Sequence, residues 1–173
     1  MRLLHLLRHA KSSWKEDVGD RERRLNRRGR EAARRIGRQL PATVGVLDLV
    51  LCSSAVRTRE TMELVLADYK SPPRSMIEDE LYGASAETLL DRLRRLDDDN
   101  RNVLLIGHNP GLHELAVKLA GADSPILHAL ASGKFPTTAR ASFRLSDRWP
   151  ALGGSRCELV AYVTVGSLRG EKG

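Results

Sequence analysis

Short apolar runs alternate along this chain with stretches in which apolar residues recur every three or four positions. The runs Arg2–Leu7, Leu47–Cys52, Val103–Gly107, Ala139–Leu145 and Glu158–Val165 have the length and composition of strands. The stretches between them carry helix signals. Asn26 can cap a helix from Arg27 to about Leu40, with Ala32, Ala33, Ile36 and Leu40 as its apolar face. Ser54 can cap a second from Ala55 to about Ala67. Ser85 can cap a third, in which Leu89, Leu90, Leu93 and Leu96 form one stripe and Glu87 complements the positive helix end. Asn109-Pro110 can open a fourth that runs to about Ala120. This alternation predicts an α/β fold: a single domain with a mostly parallel central sheet and helices on both faces. The last two strands follow one another across a turn-rich segment with Trp149-Pro150 and Gly153-Gly154, which predicts an antiparallel edge. Arg169–Gly173 reads as a loose tail.

Composition narrows the class. At 173 residues the chain suits one core, and 41% apolar with 29% charged residues is a globular balance. No apolar stretch is long enough to span a bilayer and no signal-peptide pattern is visible, so the sequence points to the cytoplasm and to no membrane partner. Cys52 and Cys157 read as buried, reduced thiols, and no CxxC pair offers a zinc framework. Much of the net charge of +7 comes from nine arginines between Arg21 and Arg38. Such a block is read here as a solvated helix face. It is also compatible with attraction of anionic substrates or of an acidic protein. The scarcity of aromatics and of any nucleic-acid motif argues against a nucleic-acid partner.

Function gathers at the carboxyl ends of strands in parallel α/β sheets. The first strand delivers Arg8 and His9 there. The second is followed by Ser53-Ser54-Ala55-Val56-Arg57-Thr58, which places Arg57 in a first helical turn, and the third delivers His108. Two guanidiniums, two imidazoles and two helix N-termini on one edge are complementary to a phosphoryl group. A cysteine-dependent phosphatase is excluded, because only four residues separate Cys52 from Arg57 and no glycine-rich loop lies between. A zinc site on His108 and His113 fails because helical spacing puts the two rings on different faces.

Four segments in order, Leu7-Arg8-His9-Ala10-Lys11-Ser12, Arg24-Leu25-Asn26-Arg27-Arg28-Gly29, Ser53 to Thr61, and Ile106-Gly107-His108-Asn109-Pro110-Gly111, resemble the histidine phosphatase superfamily. The short chain and the RHAKSSW opening resemble its SixA-type phosphohistidine phosphatases. The resemblance implies a phosphoglycerate mutase-like fold with minimal or no lid, spanning residues 1–168. It implies His9 as a nucleophile that forms a phosphohistidine intermediate, and Arg8, Arg57 and His108 as ligands of the phosphoryl oxygens, with no metal or cofactor. The other ring nitrogen of His9 is expected to donate to a backbone carbonyl. Two departures are visible: Ala10 stands where many relatives have glycine, and the general acid is unassigned. Glu80, ahead of Asp79, is the candidate acid, against the reading of a solvated loop carboxylate.

The substrate implied is protein phosphohistidine, for instance on a histidine phosphotransfer domain, with small phosphate esters as the alternative. The interval of about fifty residues between Arg57 and His108 leaves little room for a mutase cap. A non-catalytic basic module that binds acidic protein or nucleic acid is the alternative of another class.

Overall fold

Along the first strand, Leu4 and Leu6 point to one face of the sheet and His5 and Leu7 to the other, and all four are buried. The computed structural model describes residues 1–121, 126–154 and 157–169. Its six strands are β1 (Arg2–Arg8), β2 (Leu49–Ser53), β3 (Ser75–Glu78), β4 (Asn102–Gly107), β5 (Arg140–Leu145) and β6 (Glu158–Val163). They lie in the order β3-β2-β4-β1-β5-β6. The first four are mutually parallel, whereas β5 runs antiparallel to both β1 and β6. The mostly parallel α/β sheet with an antiparallel edge is therefore as expected.

Both sheet faces are covered. Helices α1 (Arg27–Thr43) and α2 (Val56–Leu66) close one core over Leu7, Val50, Cys52, Leu104 and Ile106. Helices α3 (Ala86–Arg94), α4 (Gly111–Ala120) and the short α5 (Leu127–Ser132) close the other over Leu4, Leu6, Leu51 and Leu105. The strands thus alternate between two buried faces, which is why their sequences read as nearly continuous apolar runs. No helix among the described residues is long and apolar enough to cross a membrane.

Several local readings need correction. Strand β3 is absent from the strands expected from sequence: it is four residues long, pairs only with β2 and leaves Met76 and Ile77 exposed, so no apolar run marks it. What holds it is Glu78, whose carboxylate is gripped by both arms of Arg92 on α3 at 2.7 Å. Ser54 does not cap α2; Ala55 occupies that position, and the Ser54 hydroxyl instead accepts from Arg21. Asn109 does not cap α4, which begins one residue later after Pro110; its amide donates to the Phe135 carbonyl. Asn26 and Ser85 cap as expected, accepting from Gly29 and Thr88. Cys157 immediately precedes β6, and both cysteines are buried and unpaired, as expected. Of the expected tail, residues 170–173 lie outside the described residues, and Ser167–Arg169 form a short 3-10 turn.

Candidate active site

Two adjacent strands, β1 and β4, send their chains to opposite faces: β1 leads to α1 on one side and β4 to α4 on the other. That divergence opens a crevice at their carboxyl ends, the switch point at which open α/β sheets bind ligands. The His9 amide donates to the Gly107 carbonyl at 3.1 Å, so His9 and His108 leave the sheet side by side, with ring centroids 5.2 Å apart. A cleft of about 350 Å3 lies there, lined among others by Arg8, His9, Ser12, Arg23, Arg57 and His108. Four of the five residues named from sequence are therefore brought together.

His9 is held by its own main chain. Its Nδ1 donates to the Ala10 carbonyl at 2.7 Å. A carbonyl only accepts, so Nδ1 carries the proton and Nε2 keeps its lone pair, with no partner among the described residues. The tautomer is the expected one. Burial, helped by the neighbouring His108 and arginines and opposed by the Ala10 hydrogen bond, pulls the His9 pKa down to about 3. His108 is pulled to about 4, first by burial and then by Arg57. Its Nδ1 lies 3.4 Å from an Arg57 nitrogen, which can only donate, so its Nε2 donates to Ser53 Oγ at 2.7 Å. Both imidazoles are neutral at pH 7.

The guanidiniums are under electrostatic stress. Arg8 Nη1 donates to the Phe135 carbonyl at 3.0 Å, while its Nε and that of Arg57 are buried without partners. The Arg8 pKa is lowered by burial and then by the charge of Arg57. Two guanidinium cations lining one confined cleft are complementary in charge to a dianion.

The α2 position that carries Arg57 is set by one hydroxyl. Thr61 Oγ1 accepts from the Ala10 amide at 2.9 Å and donates to the Arg57 carbonyl at 2.7 Å. On the other side, α1 packs so tightly that a Cβ on Gly29 would sit 2.0 Å from the Lys11 carbonyl oxygen, so only glycine permits this approach.

Sequence reading missed Asp20, Arg23 and Tyr82. The Asp20 main-chain oxygen and carboxylate both accept from Arg57, at 2.6 and 3.1 Å. The same carboxylate takes Arg23 and the Tyr82 hydroxyl. These bonds, Tyr82 first, hold Asp20 well below the usual carboxylate range. Arg23 also donates to Ser12 and lies 3.5 Å over the ring of Trp14. An acid three residues before an arginine inside a basic block was the available signal, since such an acid selects which cation is fixed.

Glu80 and Asp79 are not in the cleft. Glu80 accepts from Arg95 at 2.6 Å and lies 3.4 Å from Arg92, and Asp79 pairs with Arg21. The structure does not bring Glu80, the expected acid, into the cleft lining; Arg92 on α3 and Arg95 at its end hold its carboxylate. Between α2 and β4 the chain forms β3, a 3-10 turn and α3, with no inserted helical segment among these described residues.

The histidine phosphatase superfamily (branch 1) model matches residues 4–82. An uncharacterized protein of Mycobacterium tuberculosis is 33% identical over 159 residues, covering 90% of this chain and 98% of that one. Among solved structures, a protein described as the phosphohistidine phosphatase SixA of Nakamurella multipartitia superposes with a TM-score of 0.83 at 26% identity, covering 94% and 95% of the two chains. The corresponding Agrobacterium tumefaciens protein gives 0.80 at 28%, covering 94% and 97%. These likenesses displace the reading as a non-catalytic basic module. The chain belongs to the histidine phosphatase superfamily, is of the SixA type within it, and is a phosphatase.

Proposed function

We propose that the protein removes phosphoryl groups from histidine residues of a protein substrate, without a metal and in the cytoplasm, through a covalent intermediate on His9. The observation that carries this reading is the unprotonated Nε2 of His9, fixed by the Nδ1 bond to Ala10 and facing the paired guanidiniums. In the first step Nε2 forms a bond to phosphorus as the bond to the substrate nitrogen breaks. The Arg8 and Arg57 guanidiniums take the equatorial oxygens, joined by His108 once its Nδ1 takes up a proton beside the phosphoryl charge. The departing imidazole leaves neutral because its other ring nitrogen already holds a proton from solvent. The Nδ1 hydrogen bond to Ala10 supports the positive charge that develops on the ring. Water then attacks the phosphohistidine, inorganic phosphate departs and His9 is restored.

Two further points support the substrate class. An imidazole protonated at the ring nitrogen not bonded to phosphorus leaves without an added acid, so a site that keeps Glu80 in ion pairs suits phosphohistidine better than an alkyl phosphate. The lack of an inserted helical segment between α2 and β4 also suits a residue displayed on a protein surface. The second reading, small phosphate esters, rests on the same cleft and nucleophile.

The test compares wild type with His9→Ala, in EDTA, on a histidine-phosphorylated phosphotransfer domain and on small phosphate esters. The proposal expects the wild type to dephosphorylate the protein much faster than the esters, and the variant to do neither. Turnover of esters alone would give the site to small substrates, and turnover abolished by EDTA would overturn the metal-free mechanism.

A further inference from the structure

The structure divides the arginines between Arg21 and Arg38 into two groups. Arg21, Arg23, Arg24 and Arg27 are tied to Asp79, Asp20, Glu60 and Glu31, and Arg30 donates to the Leu25 carbonyl. Arg28, Arg34, Arg35 and Arg38 have no hydrogen bond or ion pair among the described residues. Two of these four, Arg28 and Arg35, face a cavity of about 490 Å3 between α1, the loop Pro136–Thr138 and residues 164–166 after β6. Lys11 and Thr137 line both this cavity and the catalytic cleft, so the two are adjacent.

Building on the phosphohistidine reading, we propose that this groove binds carboxylates of the protein substrate that flank the phosphorylated histidine. Arg28 and Arg35 are seven residues apart on one helix, a rise of about 10 Å. One further phosphoryl group cannot span that separation. Carboxylates on one face of an extended segment, repeating at roughly 7 Å, match it with the freedom of the arginine stems. The two sites also differ in build. The cleft's guanidiniums are inward-facing and confined, as suits a dianion, whereas Arg28 and Arg35 are exposed, on long stems that single carboxylates can meet. The chemistry of the groove is thus that of an acidic peptide.

The experiment uses two phosphohistidine peptides, one with Glu and Asp at the flanking positions and one with Gln and Ser, together with p-nitrophenyl phosphate and a bisphosphorylated small ester. Wild type is compared with the double variant Arg28→Gln/Arg35→Gln, whose glutamines keep helix propensity at exposed sites. The proposal expects wild type to prefer the acidic peptide by about tenfold in kcat/KM at low salt, with the preference collapsing at high salt. The double variant loses that preference while its activity on the neutral peptide and on p-nitrophenyl phosphate is unchanged. Equal turnover of the two peptides by wild type overturns the groove and leaves the phosphohistidine reading intact. Turnover of neither peptide with the esters still hydrolysed overturns that reading and the groove with it. A preference for the bisphosphorylated ester that the double variant loses, with no peptide preference, reassigns the groove to small molecules and overturns the proposal.

Discussion

His5 and His9 lie on β1 and at its exit, both buried and both with a depressed pKa, yet their surroundings differ in one respect. His5 is satisfied at both ring nitrogens. The amide nitrogen of Asn102 donates to the carbonyls of Val44 and Val46, which turns its oxygen toward His5. His5 Nε2 therefore donates to that oxygen at 2.9 Å and its Nδ1 accepts from Ser142 at 2.7 Å. His9 has one nitrogen bonded and the other left open in a cleft. Burial and a low pKa do not separate a structural histidine from a nucleophile here. The count of unfilled nitrogens does.

The comparison breaks most sharply on substitution. His9→Ala should lower kcat/KM by roughly a thousandfold or more with little change in the urea midpoint, because the bond lost is to its own neighbour's carbonyl. His5→Ala should leave kcat near wild type and cost about 2 kcal/mol or more of stability, since Ser142 and Asn102 would be buried without a partner. If the two variants exchange phenotypes, the assignment is wrong.

Arg57→Lys keeps the charge and loses the fork that meets Asp20 and His108, so kcat/KM should fall by about a hundredfold, measured on any hydrolysed ester. Full retention would mean that a point charge suffices.

Acid sharpens the comparison further. His5, His9 and His108 fold with pKa values of about 4, 3 and 4 against 6.5 in the unfolded chain. The unfolded state therefore binds more protons below pH 6.5. Stability is full above that pH and is lost as pH falls toward 4 and below. Denaturant titrations between pH 7 and 4 should show this slope, reduced in the His5→Asn variant. A flat profile would contradict the neutral buried rings.

The smallest effect is expected of Glu80→Gln. With Glu80 held by Arg95 and Arg92, kcat should stay within about twofold of wild type. A large loss would restore this residue to the reaction.

How much of this could be read in advance depended on whether a feature is local. The ends of β1 and β4 and the start of α2 were legible, because apolar periodicity places strand ends and the switch-point rule places chemistry there. Arg8, His9, Arg57 and His108 followed. Asp20 and Tyr82 are 62 residues apart and meet only through the folded chain, so no spacing reveals their bond. Glu80 was named through the resemblance alone, and its partners, Arg92 on α3 and Arg95 just after it, are more than ten residues away in the chain, where local sequence does not disclose them. Ser54 offered a cap by residue type and gave its hydroxyl to Arg21, a competitor that local sequence does not disclose.

The Nδ1 bond of His9 also bears on what mutation can reach. His5 depends on two side chains, Asn102 and Ser142, and a single codon change in either one removes a bond that holds it. The acceptor for His9 is a peptide carbonyl, which every amino acid at position 10 supplies. The nucleophile's orientation is thus heritable without being encoded by any one partner residue, so drift can erode the support of the structural histidine while that of the reactive one persists.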